Sequence, residues 1–299
     1  MRWQTAVITL VTFLVLALAA AGWWRYGYVP ASPTPSSVPE HTPKPRQYVR
    51  TPFTPHWDQV PLAEFERQAK RFPGQLWLEG PTHRKLIALT FDDGPTYNTP
   101  RLLDVLARHK VKATFFWLGR EMQRFPDAVR RAAREGHLLG NHTWDHPDIS
   151  GLDETTLWEE QVGMTQAVFK QILGTTPHLM RPPYGRIADW QVDFMRRQGL
   201  RVIQWSVDPQ DWNRARMAFG SHLIERDVQD YIHPEAIVLM HDGGGPREDT
   251  VAAVDRLIPW LRAAGYEFAT IDQLIDTRPF TGSAQPRPLP VLPVDEFAG

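Results

Sequence analysis

The sequence predicts an α/β fold of parallel strands joined by helical crossovers in the middle of a 299-residue chain. Three observations predict it. Short apolar runs with branched and aromatic residues alternate with stretches of helical period from Lys85 to about Ile275. Those helical stretches are long enough to serve as the crossovers that parallel strands require, whether the sheet stays open or closes as a barrel. Polar clusters stand directly after five of the runs, at the carboxyl ends of strands, where parallel sheets and barrels build their sites.

In chain order, the run from Thr5 to Trp24 is uncharged and mainly apolar, long enough for one helical crossing of a hydrocarbon core of about 30 Å. The small residues Ala19, Ala20 and Ala21 offer a signal-peptidase site. The length of the run and a belt of Trp23, Trp24, Tyr26 and Tyr28 favour an uncleaved signal anchor over residues 1–28 instead. Either outcome exports the remainder, so the expected location is the cell membrane with the catalytic domain outside the cytoplasm, or secretion after cleavage. Residues 29–55 are rich in Pro, Ser and Thr and form an extended tether. The lead segment 56–84 contains one helix, Leu62 to Arg71, to which no function is assigned.

The principal domain spans residues 85–277. Its candidate strands are Leu86 to Phe91, Ala113 to Leu118, His137 to Gly140, His178 to Arg181, Arg201 to Val207, Ala236 to Met240 and Tyr266 to Ala269. Thr99 followed by Pro100 reads as an N-cap with proline at the first helical position. Leu157, Gln161, Met164, Val168 and Ile172 recur with helical period and stop at Gly174. Val251, Val254, Leu257, Ile258 and Leu261 do the same and stop at Gly265. Residues 278–299 are again Pro-rich, a tail that runs over the surface or is disordered.

Composition narrows the chemistry. The formal net charge is −1, with Lys and Arg spread along the chain, so no footprint for nucleic acid is present. Cysteine is absent, which excludes thiol catalysis, disulfides and thiolate metal sites. Any metal must be held by His, Asp or Glu.

The stretch "LTFDDGPT" places Asp92 and Asp93 where a strand breaks into a Gly-Pro turn. Neighbouring side chains of an extended strand face opposite ways, but at such a break two carboxylates can converge on one site. His142 and His146, in "NHTWDH", are four residues apart, and Pro147 argues for a single turn or tight loop rather than a longer helix. A zincin peptidase would need Glu after the first His, and Thr143 stands there. Two His and one Asp leave an open position, as a catalytic zinc site requires, while the second Asp is free to meet water.

"TFDDGP", "HTWDH", "RPPY", "DPQDW" and "LMH", in this order, resemble the five motifs of the polysaccharide deacetylases, the NodB-homology domain of carbohydrate esterase family 4. The resemblance covers about Lys85 to Ile275. It implies a distorted (β/α)7 barrel, a divalent metal, most often zinc with Co, Mn, Ni or Fe as alternatives, and hydrolysis of acetyl groups on extracellular polysaccharides such as peptidoglycan or chitin. Carried over residue by residue, it makes Asp93, His142 and His146 the metal ligands and Asp92 the base. It gives Arg181 the task of holding Asp92, the backbone N–H of Tyr184, on a loop stiffened by Pro182 and Pro183, that of an oxyanion donor, and His241 that of general acid. Asp208 is expected to pair with His241 and keep it charged. Trp212 and Leu239 fit the apolar pocket for the acetyl methyl, and Asp211 has no assigned chemistry. The expected reaction is N-deacetylation of amino sugars, with peptidoglycan N-acetylglucosamine as first substrate and chitin oligomers or an exopolysaccharide as alternatives. A glycan-binding module without turnover and a metal peptidase acting on cell-wall stems are the competing readings.

Overall fold

The computed structural model describes residues 60–275 and 286–292. The anchor and tether expected over residues 1–55 lie outside them. Among the described residues no helix is long and apolar enough to cross a membrane.

All pairings between the named strands are parallel. Eight strands are present: β1 (Leu76–Trp77), β2 (Leu86–Asp92), β3 (Thr114–Trp117), β4 (Leu138–Asn141), β5 (Leu179–Met180), β6 (Arg201–Ile203), β7 (Ala236–His241) and β8 (Glu267–Phe268). Their order is β1-β6-β5-β4-β3-β2-β7, with β8 also paired to β2. The sheet curls back on itself, because the chain leaving β6 meets β7: Ser206 N–H donates to Ile237 O and Leu239 N–H to Val207 O. Strands covered on both faces are mostly apolar. β2 is buried from Ile87 through Asp92, and its two polar members are satisfied, Thr90 by donating to the Val238 carbonyl and Asp92 by accepting from Arg181.

Each of the seven candidate strands corresponds to one of β2 to β8. The run Arg201 to Val207 is shorter as a ladder than its composition suggests, pairing as β6 only to Ile203 before Val207 bridges to Val238. β1 escapes a sequence reading because two residues carry no period.

The α-helices of six residues or more are α1 (Leu62–Arg71), α2 (Thr99–Arg108), α3 (Gly119–Arg124), α4 (Pro126–Arg134), α5 (Gly163–Leu173), α6 (Asp189–Arg197), α7 (His222–Tyr231) and α8 (Glu248–Ala263). The Thr99 cap expectation is corrected. Thr99 is the first helical residue, Asn98 precedes it, and the Thr99 hydroxyl is engaged by the buried carboxylate of Asp242 instead of capping. α5 is entered through a π-helical stretch, Leu157–Val162, and ends at Gly174 with φ 76°, a left-handed conformation that glycine adopts without a steric penalty. The main core lies where β2, β3 and β7 meet α2 and α8, with Leu89, Phe115, Leu103, Val238 and Leu257 all buried. Residues 286–292 of the tail lie against the surface, where the Pro288 carbonyl accepts from Trp158 Nε1 at 2.9 Å and Arg287 pairs with Glu154.

Parallel register sets the height of each strand end. Asp92 on β2 is level with His241 on β7 and with Phe116 on β3, and Trp117 is level with Asn141 on β4. The residues that follow these ends are thereby gathered on one rim.

Candidate active site

A cavity of about 480 Å³ opens on that rim, lined among others by Asp92, Asp93, His142, His146, Tyr184 and His241. Two adjacent carboxylates reach it because the chain leaves extended geometry between them. Asp92 is the last residue of β2, and Asp93 has φ 69°, in the left-handed region. His146 (φ 70°), Thr143 (φ 71°) and Tyr184 (φ 57°) share that conformation. Non-glycine residues held there cost roughly 1–3 kcal/mol each and collect at functional sites. The segment from His142 to His146 is a tight loop without helix, as Pro147 suggested.

Asp93, His142 and His146 each bring one ligand atom within 4.8 Å of the others. The Nε2 atoms of both histidines stand 3.4 Å from Asp93 Oδ1, and that buried oxygen has no hydrogen-bond partner. A buried carboxylate oxygen without a donor is costly, and a cation between it and two imidazoles removes the cost. His142 Nδ1 lies 2.8 Å from the carbonyl of Arg181, an acceptor only, so Nδ1 carries the proton and Nε2 presents its lone pair to the cluster. Burial, against the pull of Asp93, brings His146 down to about 4 and keeps it neutral. Burial alone would raise Asp93, but His142 and the surrounding imidazoles hold its carboxyl far below the usual range. This donor set fits a divalent cation.

Asp92 sits beside the cluster, its Oδ2 3.8 Å from His142 Nε2. Arg181 holds it as the sequence resemblance implied: Nη1 donates to Asp92 Oδ1 at 2.8 Å and to Thr90 Oγ1 at 2.8 Å. The guanidinium is fully buried, also donating to the carbonyls of Ile203 and Gln204, with its Cζ 4.3 Å from the Phe116 ring centroid.

The expected pairing of Asp208 with His241 is corrected. Asp211 Oδ1 lies 2.7 Å from His241 Nδ1, and Asp211 Oδ2 accepts from the His241 backbone N–H and from the Thr250 hydroxyl, each at 2.8 Å. Asp208 instead accepts from Gln210 N–H at 2.8 Å and from the Trp212 indole at 3.3 Å, tying the "DPQDW" turn together. Both aspartates belong to one motif, and spacing does not reveal which of them faces β7. Burial pushes Asp208 up to about 6. Burial works against charge on His241 as well, yet the Asp211 carboxylate overcomes it and raises the imidazole to about 9.

This geometry carries a pH prediction. His241 is protonated below about 9 and loses its proton as pH rises through that value. The alkaline limb of kcat/KM is expected there. Asp211→Asn removes the raising charge and leaves the burial, so the limb should fall by ~1–3 units. Asp208→Asn should leave the limb in place. A pH–rate series on the three proteins checks both.

Trp212 and the buried Leu239 line the cavity with Trp205, and the Tyr184 ring meets His146 edge-on with centroids 4.5 Å apart. Trp205 was missed because the candidate strand Arg201 to Val207 enclosed it, whereas β6 ends at Ile203. So was Asp242, fully buried below the Gly94 turn.

Residues 79–203 match the family model described as polysaccharide deacetylase. A peptidoglycan-N-acetylglucosamine deacetylase of Bacillus cereus is 38% identical over 220 residues, which cover 73% of this chain and 76% of that one. The chain belongs to the polysaccharide deacetylase family. A chitooligosaccharide deacetylase of Bradyrhizobium is also 38% identical, over 63% of this chain and 90% of its own. The solved structure of a peptidoglycan N-acetylglucosamine deacetylase, in complex with 4-naphthalen-1-yl-N-oxidanyl-benzamide, superposes with a TM-score of 0.66 at 34% identity. That match covers 71% of this chain and 97% of the other. The protein is thus a polysaccharide deacetylase, and the expectation of an enzyme holds over that of a binding module.

Proposed function

We propose that this deacetylase removes N-acetyl groups from the N-acetylglucosamine residues of peptidoglycan, using a divalent metal held by Asp93, His142 and His146. The observation that carries this reading is the convergence of two held acid–base groups on one cavity beside that cluster. Asp92 is fixed by Arg181, and His241 is fixed by Asp211. Zinc suits a site of two imidazoles and one carboxylate, with Co, Mn, Ni and Fe as alternatives, and such an ion supplies Lewis-acid activation of water and of the acyl oxygen.

The chain's own groups account for the protons. Asp92 accepts a proton from the water that adds to the acetyl carbonyl. The backbone N–H of Tyr184, which donates to no other backbone carbonyl among the described residues, serves the developing oxyanion. His241 Nε2 then gives its proton to the nitrogen as the C–N bond breaks and its electron pair passes to that nitrogen. Acetate and a free amine leave. Without that donor the tetrahedral adduct would expel water and return to the amide. Trp212 and Leu239 offer an apolar wall for the acetyl methyl.

The choice of peptidoglycan rests on the Bacillus cereus relative and on the apolar run from Thr5 to Trp24. In this reading that run anchors the enzyme in the cell membrane, with residues 29–55 as tether and the catalytic domain outside. Similarity to the Bradyrhizobium protein favours chitin oligosaccharides as the second reading. Treated peptidoglycan should therefore yield, after muramidase digestion and mass spectrometry, fragments with free amines on N-acetylglucosamine positions. Amines confined to the N-acetylmuramic acid positions would reject the proposed sugar.

A further inference from the structure

The helix that the sequence left without a function stands directly behind the loop that carries Tyr184. α1 lies outside the segment matched by the family model, which begins at residue 79. Its Phe65 is buried, and its ring touches the backbone of Gly185 so closely that a Cβ added there would stand 2.5 Å from Phe65 Cζ. Gly185 is itself left-handed, at φ 70°. The same ring meets Trp205 edge-on, with centroids 5.3 Å apart and planes at 82°.

One turn further along, the buried Gln68 donates from Nε2 to the Ile187 carbonyl at 2.8 Å. Arg67 closes the contact with a two-pronged bond to Asp189, at 2.9 and 2.6 Å. Gln204, whose carbonyl accepts from Arg181, also donates from Nε2 to the Gly185 carbonyl at 2.9 Å. The loop from Pro182 to Asp189 is therefore pinned at three successive places by one helix, and two of its pinned neighbours, Tyr184 and Trp205, line the catalytic cavity.

We propose that α1 belongs to the catalytic apparatus: Phe65 and Gln68 are positioning residues that clamp the loop 182–189 and thereby fix the Tyr184 backbone and the Trp205 wall. The claim rests on the reading of this cavity as the deacetylase site. A loop whose residue 184 sits in a left-handed conformation does not hold that shape unaided, because strain persists only where the surroundings over-determine it. The metal ligands come from the chain after β2 and β4, so loosening α1 should leave them in place.

The test uses the full chain with Phe65→Ala and Phe65→Leu. Amide hydrogen exchange of the peptide spanning 182–189 should speed up in Phe65→Ala, with zinc affinity unchanged. On chitin oligomers kcat should fall ~10-fold or more, a part of the 10²–10³ that loss of an oxyanion donor costs, while KM stays close to the wild-type value. Phe65→Leu, which still fills the space, should recover most of the rate. If Phe65→Ala does not fold, Gln68→Ala loses only the bonds from its amide and should move the same two readouts less far. Unchanged exchange in the loop overturns the proposal, as does a loosened loop with kcat intact. A wild-type chain without deacetylase activity overturns the reading of the site, while loop exchange on the same proteins still decides whether α1 holds the loop.

Discussion

Asp92→Asn is expected to keep the metal and lose ~10²–10⁴-fold in kcat, the range in which general bases act, or about 3–5 kcal/mol of barrier. The amide retains an oxygen that can accept from Arg181, so the shape of the site should survive, but it cannot take a proton. A second consequence follows from burial. Arg181 is fully buried and Asp92 is its ion-pair partner there. Removing the charge from one side of a buried pair leaves the other uncompensated, a loss typically of about 3–5 kcal/mol. The variant should therefore also melt earlier, and the rate must be measured well below its melting temperature. Unchanged turnover in a folded, metal-loaded Asp92→Asn protein would remove Asp92 from the role of base.

The second large effect is expected at the donor cluster. His142→Ala deletes the ligand whose lone pair is aimed by the Arg181 carbonyl, and leaves Asp93 Oδ1 with a single imidazole nearby. Metal affinity should collapse, and turnover with it by ~10³-fold or more, about 4 kcal/mol. Calorimetric titration with zinc separates this from the Asp92 variant, which should bind normally. Normal zinc binding by His142→Ala would place the metal elsewhere.

Much of this site was legible because its residues follow strands. A strand ends visibly where apolar residues give way to Asp92-Asp93 or to His241, and parallel topology brings such ends to one rim whatever the loops do. The ordered motifs singled out Asp93, His142, His146, Asp92 and Arg181, and the structure brings these five side chains together on that rim. What the sequence withheld depends on side-chain direction within a loop. Asp208 and Asp211 are three residues apart in one turn that passes through a left-handed Gln210, and it is Asp211, not Asp208, that pairs with His241. Thr99 resembled a cap because a hydroxyl before a helix is a favoured cap, but the buried Asp242, which directly follows β7 and is distant in sequence, claims it. β1 and the clamp by α1 rest on contacts between segments more than a hundred residues apart, for which a local period holds no signal.

The measurement that bears most directly on the account is acetate release by the zinc-loaded protein, from purified peptidoglycan and from chitin oligomers side by side, with Asp92→Asn as control. Release from peptidoglycan that disappears in the control is the expected result. Equal release by wild type and control would contradict the assignment of the base, and no release from either glycan by a protein with zinc bound would contradict the proposed reaction on these amino sugars.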